Sequence, residues 1–273
     1  MLGHISFWRH FAVAIVIAGC TALAALGYIG GRIEHFDQKQ ITVSPLGADG
    51  IHIREVVDED FANARRHGYQ RIIPDDFGIA TNVTASSPDA NADVDVEQVE
   101  QGTRIRLGDP NKTFTGQHRY VLSYTLPEAK LSTNKLDLDI IGTDEDFQTD
   151  DFVVIVTGMQ LADPVCSVGG TGKVGGCTLT QAGDDYRVEF KPLKTGQGIT
   201  ISGTITARTT PTAPPLPALP ARAHDHHATV AVALVPIGLF GALVVLVFDR
   251  RRGRNEVYSG GAAEAAYGKL PEP

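Results

Sequence analysis

The 273-residue sequence predicts a mainly β protein: an antiparallel β-sandwich of one or two pairs of sheets, carried between an N-terminal apolar helix and a C-terminal transmembrane helix. Three observations predict it. Between residues 38 and 208, short runs of alternating apolar and polar residues recur between Gly, Asp and Pro, and no helical periodicity of comparable strength appears. Ala228 to Phe248 then runs for 21 residues without a charge, followed at once by Asp249-Arg250-Arg251-Arg252-Gly253-Arg254. Residues 209–221, with five prolines in 13, divide the two regimes.

The N-terminal segment, residues 1–30, reads as a signal peptide or a signal anchor. Phe11 to Ile29 is an apolar run of 19 residues behind Arg9. Ala22-Leu23-Ala24 offers a small-residue cleavage pattern, yet the run is long enough to remain as a span. Ile17-Ala18-Gly19-Cys20 is similar to a lipoprotein acylation motif, but the chain stays apolar well past the cysteine.

Within residues 38–208 the strands follow in order. Ile41 and Val43 alternate with polar residues, Ala48-Asp49-Gly50 turns, and Ile51 to Val56 alternates back, which is a hairpin. Asp58 to Tyr69 is polar and reads as loop or helix. Asp93 to Glu97 and Thr103 to Leu107 alternate around a Gln101-Gly102 turn, and Gly108-Asp109-Pro110-Asn111-Lys112 is turn chemistry. Tyr120, Leu122, Tyr124 and Leu126 then share one face of the clearest strand. Further strands are expected at Leu136 to Ile141, Phe152 to Val156, Tyr186 to Phe190 and Ile199 to Ala207. Cys166 and Cys177 flank a Gly-rich loop and form an even pair, which predicts one disulfide closing that loop at a gain of about 3 kcal/mol.

Residues 209–227 read as an extended Pro-rich stalk ending in His224-Asp225-His226-His227. At ~3.1 Å per residue the proline stretch spans roughly 40 Å, a spacer holding the β domain off a membrane. Residues 228–248 span roughly 31 Å as a helix, the thickness of a bilayer core. The following arginines place residues 249–273 on the cytoplasmic side and the β domain outside. The expected location is thus a cell membrane, with one pass, or two if the N-terminal segment is retained, and the lipid bilayer as the first partner. Residues 32–227 carry 28 acidic against 18 basic side chains, a balance unsuited to nucleic acid.

The run Arg104-Ile105-Arg106-Leu107-Gly108-Asp109-Pro110, continued by Thr113-Phe114-Thr115-Gly116-Gln117-His118-Arg119-Tyr120-Val121-Leu122-Ser123-Tyr124, resembles the central motif of a family of bacterial membrane proteins catalogued as domain of unknown function 2207. Asp49 to Ile53, His67 to Pro74, Cys166 to Cys177 and Gly196 to Ile201 extend the resemblance over Gln38 to Ala207. It implies an exported β domain tethered by a following span, with Gly108, Asp109, Pro110, Gly116, Tyr120 and Tyr124 as its structural motif and no activity attached. Two departures stand out. Family members tend to carry tryptophan near the segment matched by Leu136 to Phe147, whereas the sole tryptophan here is Trp8, and they usually continue well past the span.

Candidate chemistry is sparse. Ser132-Thr133-Asn134-Lys135 and Lys194-Thr195-Gly196 match two elements of penicillin-binding enzymes, but Lys135 leads into a strand and not along a helix. Gly169 to Lys173 is similar to a phosphate loop, but lacks its first glycine and the hydroxyl that follows the lysine. His224, His226 and His227 form the densest ligand set, either a weak metal site or a polar collar at the membrane. Asp137, Asp139, Asp144, Glu145, Asp146, Asp150 and Asp151 supply oxygen ligands at a spacing that fits no EF-hand. His52, His67 and His118 stand apart from any nucleophile. No catalytic constellation is visible, so the expectation is a non-enzymatic module without a cofactor, displaying a surface to an envelope or membrane protein. The alternative is an enzyme or carbohydrate-binding domain whose site is assembled from distant loops. Convergent carboxylates in a deep pocket would favour that alternative.

Overall fold

The computed structural model describes residues 11–22, 33–221, 236–248 and 250. The chain divides into two compact units, Met1–Arg32 with Ala223–Pro273, and Ile33–Arg222. The second holds fourteen strands: β1 (His35–Leu46), β2 (Gly50–Asp60), β3 (Gly68–Ile73), β4 (Thr81–Ser86), β5 (Val94–Val99), β6 (Gly102–Gly108), β7 (Gln117–Leu126), β8 (Lys135–Ile141), β9 (Thr149–Val156), β10 (Met159–Gly169), β11 (Gly176–Cys177), β12 (Thr180–Ala182), β13 (Asp185–Phe190) and β14 (Gly198–Arg208). They build a seven-stranded sheet ordered β12-β13-β9-β1-β2-β7-β4, a four-stranded sheet ordered β11-β10-β14-β8, and a three-stranded sheet ordered β3-β6-β5.

The alternation read from the sequence sets the core. Ile41 and Val43 of β1, Ile51, Ile53 and Val57 of β2, and Tyr120, Leu122, Tyr124 and Leu126 of β7 are all buried on one face of the large sheet. Leu136, Leu138 and Ile140 of β8 and Ile199 and Ile201 of β14 join them in a single apolar cluster, with Tyr69, Ile105 and Leu107 from the small sheet. Burying such a face is what holds two sheets together, since each has one apolar side and cannot satisfy it alone.

The sandwich is not wholly antiparallel. β1 and β9 pair in parallel, because the chain leaves the large sheet after β7, forms β8 in the four-stranded sheet and re-enters beside β1 in the same direction. β10 is a strand in spite of Pro164 near its middle. Its register against β14 shifts between Ala162 and Val165, and that bulge accommodates a proline without a lost ladder bond. Cys166 and Cys177 face each other across β10 and β11 and form the disulfide.

The Pro-rich segment differs from the free spacer expected. Thr209 N–H donates to the Gly158 carbonyl at 3.0 Å and Thr212 N–H to the Thr157 hydroxyl at 3.2 Å. Arg54 then donates to Pro214 O at 3.4 Å, and Arg119 to Pro217 O and Ala218 O at 2.8 and 3.1 Å. Pro214, Pro217 and Pro220 are the partly buried positions of this stretch, the three-residue period of a polyproline helix lying along the sheet. Its backbone carbonyls have no internal partners in that conformation, so donors projecting from the sheet can fix it.

The other unit contributes helices 11–22 and 236–248. No helix among the described residues is long and apolar enough to cross a membrane. The first part of the expected span (228–235), the arginine cluster beyond Arg250 and His224, His226 and His227 lie outside the described residues.

Candidate functional site

Strand phase aims charge into the core at one end of the large sheet. Lys39 sits on β1 in phase with Ile41 and Val43, and Glu55 and Glu59 sit on β2 in phase with Ile53 and Val57; all three are buried. Removing such groups from water is costly unless each finds a partner. Glu55 accepts the Tyr124 hydroxyl at 2.8 Å, the Tyr69 hydroxyl at 3.2 Å and Arg71 Nε at 3.3 Å. Arg71 also donates to Ile140 O at 3.1 Å. Standing on β3, it therefore ties the small sheet to β2 of the large sheet and to β8 of the four-stranded one. Burial, followed by the Glu55 charge, keeps the Tyr69 and Tyr124 phenols protonated well above the usual range.

Lys39 Nζ lies 2.9 Å from Glu145 Oε2 and 3.8 Å from the centroid of the Phe36 ring, a charge pair and a cation–π contact in one position. Glu145 comes from the loop between β8 and β9. Burial pushes its carboxyl up, but the charges of Lys39 and Arg71 outweigh burial and hold it below the ordinary glutamate value. Glu59 has the opposite fate. Burial pushes it up to about 8; Lys39 opposes the shift, and Glu34 and Glu145 add to it. Its Oε2 has no hydrogen-bond partner among the described atoms.

Glu59, Arg71 and Glu145 line a cleft of about 750 Å³ whose walls come from β1, β2, β3, β5 and β6, the segments leading into β1 and β3, and the loops after β6 and β8. Phe36 meets Tyr69 and Phe147 edge to face at 6.1 Å, giving the cleft an aromatic wall. Seven carboxylates and three guanidinium groups are among its lining residues. The guanidiniums are engaged: Arg66 with Glu34, Arg71 with Glu55, and Arg106 with Asp95 and Glu97. The cleft thus presents acid groups and aromatic rings, an unfavourable surface for an anion.

Of the motif read in the sequence, Gly108, Asp109 and Pro110 line this cleft. Gly108 at φ +144° faces Gly68 at φ +141° across the β3–β6 ladder. A Cβ on Gly108 would lie 1.9 Å from the His67 carbonyl oxygen, so only glycine permits this approach. Asp109 accepts the Asn111 N–H, which holds its carboxyl low and closes the turn. Gly116 exchanges backbone hydrogen bonds with Phe61 and Ala62. Tyr120 stacks on Tyr69 at 6.1 Å and Tyr124 reaches Glu55, both within the core.

The other sequence candidates scatter. Ser132 lies in the 3-10 turn Leu131–Thr133, and Lys135 opens β8 with its side chain exposed, so the pair does not share a helix face. Gly169 to Lys173 belongs to the hairpin tip closed by the disulfide. Asp137 and Asp139 alternate on the exposed side of β8 and do not line the cleft, whereas Asp144, Glu145 and Asp146 do. His67 lines the cleft with Nδ1 2.8 Å from Lys112 O, while His118 packs against Phe61 and Phe114. Lys39, Glu55 and Glu59 escaped the sequence reading. The one available signal was their occurrence on the apolar phase of strands.

No family model matches the chain, and no curated protein matches it. Among solved structures, the M1 zinc metallopeptidase of Deinococcus radiodurans is similar at 14% identity and a TM-score of 0.37, covering 64% of this chain and 43% of that one. The leukotriene A4 hydrolase of yeast is similar at 10% identity and a TM-score of 0.42, covering 62% of this chain and 29% of that one. The chain therefore spans less than half the length of either. At such scores the likeness says nothing about a shared reaction. The expectation of a non-enzymatic module rested on the lack of a catalytic motif in the sequence, and it is withdrawn: the neighbours found are peptidases and hydrolases, and the cleft gathers its groups from segments distant in sequence, which no motif would show.

Proposed function

We propose that the cleft is an acid–base site acting on an uncharged, hydroxyl-rich ligand of the saccharide class, assembled from segments distant in sequence. The observation that carries this reading is the divergence of Glu59 and Glu145. They share one cleft and one buried lysine, yet burial keeps the first protonated near neutral pH while Lys39 and Arg71 keep the second ionised. Two carboxyl groups pushed apart in this way supply a proton donor and a proton acceptor at the same pH. Phe36, Tyr69 and Phe147 supply apolar faces suited to a sugar ring, and the surplus of carboxylates disfavours phosphates and nucleic acid. Lys39 acts as a positioning residue that pairs with Glu145 and keeps it ionised, while burial prevails over Lys39 at Glu59.

The test is turnover of a panel of oligosaccharides by the full chain and by Glu59→Gln and Glu145→Gln. Cleavage by the parent with an alkaline limb near pH 8, set by Glu59, and loss of cleavage in both variants with folding retained are the expected results. Saturable binding without turnover would reduce the site to a lectin; neither binding nor turnover would end the proposal.

We further propose that the chain is membrane-tethered with its N-terminal helix retained, and that the resemblance over Gln38 to Ala207 reflects an exported domain. The support is the surface of the helical unit. Val13, Ile15, Val16, Leu239, Phe240 and Leu243 are exposed, whereas the small residues Ala14 and Gly238 are buried. A Cβ on Gly238 would come within 2.8 Å of the Thr21 side chain. Large apolar groups outward and small ones at the helix contact is the pattern of helices packed in lipid. A reporter active only outside should be active when fused after Ala207 and silent after Lys269, and the mature protein should still begin at the first residues. A start after Ala24 would show cleavage instead.

A further inference from the structure

The beginning of β1 carries a second constellation, distinct from the cleft carboxylates. His35 is directly opposite Asp60 in the β1–β2 ladder. The register of that ladder slips between Phe36 and Gln38, and the extra residue is Asp37. On the other side of β1 the parallel strand β9 sets Thr149 beside Phe36 and Asp151 beside Gln38, which brings Asp150 level with the bulge. One imidazole and three carboxylates from three adjacent strands thus converge where the ladder bulges.

Their geometry is that of a ligand set. His35 Nε2 lies 3.2 Å from Asp37 Oδ1 and 3.6 Å from Asp150 Oδ2, and donor atoms of His35, Asp37 and Asp60 all lie within 4.8 Å of one another. Metal–ligand bonds of about 2.0–2.2 Å imply ligand separations of roughly 3 to 4 Å, so small side-chain movements suffice. A second observation concerns orientation. His35 Nδ1 lies 2.9 Å from the Ile33 carbonyl oxygen, to which it must donate. The other nitrogen is thereby directed at the carboxylates, as in metal-bound histidines whose far N–H is held by a carbonyl. The carboxylates are braced as well: Gln117 Nε2 donates to Asp37 Oδ2 at 2.5 Å and the Ala62 N–H to Asp60 Oδ1 at 2.8 Å.

We propose that His35, Asp37 and Asp60, with Asp150 as the fourth ligand, bind one divalent first-row metal ion of the Zn²⁺ or Mn²⁺ type. The mixed imidazole–carboxylate set, without a thiolate, argues against Cu⁺, and its nitrogen ligand argues against Ca²⁺. Bound there, the ion clamps the ends of β1, β2 and β9 together beside Phe36 and Glu59, where the cleft wall begins.

The experiment uses the full chain in mild detergent with His224, His226 and His227 all replaced by Ala, so that the histidine cluster outside the β domain cannot contribute. After EDTA treatment, MnCl₂ is titrated in while the free-ion electron paramagnetic resonance signal is followed, and ZnCl₂ binding is followed by calorimetry. One saturable site per chain is expected, weakened at least tenfold in both His35→Gln and Asp37→Asn, with a metal-dependent rise in melting temperature that both variants lose. Should His35→Gln fail to fold, Asp37→Asn decides, because it preserves shape and the contact with Gln117. Absence of a saturable site, or variants that bind like the parent, overturns the assignment and leaves a His–Asp ion pair closing the sheet.

Discussion

The two faces of the seven-stranded sheet each bury an arginine–carboxylate pair, and they do so to different ends. On the outer face Arg119 grips Asp58 through two contacts of 2.6 Å, and its remaining reach goes to two carbonyls of the proline segment. On the inner face Arg71 meets Glu55 at 3.3 Å, and beside it Glu59 keeps an unpartnered oxygen in an open cleft. The outer arrangement is closed by the chain's own backbone and serves cohesion. The inner one leaves polar capacity unspent next to space for a ligand, and a fold retains such a conflict where a site needs it.

Four substitutions test that contrast, beginning with the largest expected effect. Tyr124→Ala should cost about 5 kcal/mol, because it opens a core cavity and also removes the shortest hydrogen bond to Glu55; urea unfolding measures it. An unchanged midpoint would mean that β7 does not carry the core face assigned to it. On the outer face, Asp58→Ala should cost about 3 kcal/mol by leaving Arg119 buried against carbonyls alone. A smaller loss than from the neutral surface swap Thr206→Ala would dissolve the distinction between the faces.

Glu59→Gln should act in the opposite direction and depend on pH. Glu59 ionises near 4.5 when unfolded and at about 8 when folded. Between those values the folded state holds a proton that the unfolded state lacks, so stability falls as pH rises through this window and is level above it. The variant removes that slope and should gain a few kcal/mol over the parent at pH 9 and nothing at pH 4. Parallel stability curves for the two proteins would show that Glu59 is not a buried acid. The smallest effect is expected from Pro217→Ala, under about 1 kcal/mol, since it retains the carbonyl that Arg119 binds and mainly loosens the unfolded chain. Proteolytic release of residues 209–221 from the otherwise intact parent would show that the segment is not docked.

Alternation alone placed Ile41, Ile53, Tyr124, Leu136 and Ile199 inside, and it located the β1–β2 and β5–β6 hairpins, because a period of two is a local property of a strand and its turn. The even cysteine pair likewise determined its disulfide. Partnership between remote segments was not local. The sequence contains Lys39, Glu59 and Glu145, but nothing in their spacing says that the loop after β8 meets the beginning of β1 or that burial drives the two carboxyls apart. The proline content determined an extended conformation for residues 209–221. Whether that segment stood free or lay on the sheet was decided by Arg54 and Arg119, which project from strands more than ninety residues away. The parallel β1–β9 pair and the bulge at Asp37 were decided in the same way, since ladder register depends on which strands become neighbours, and that is fixed only when the sheets pack.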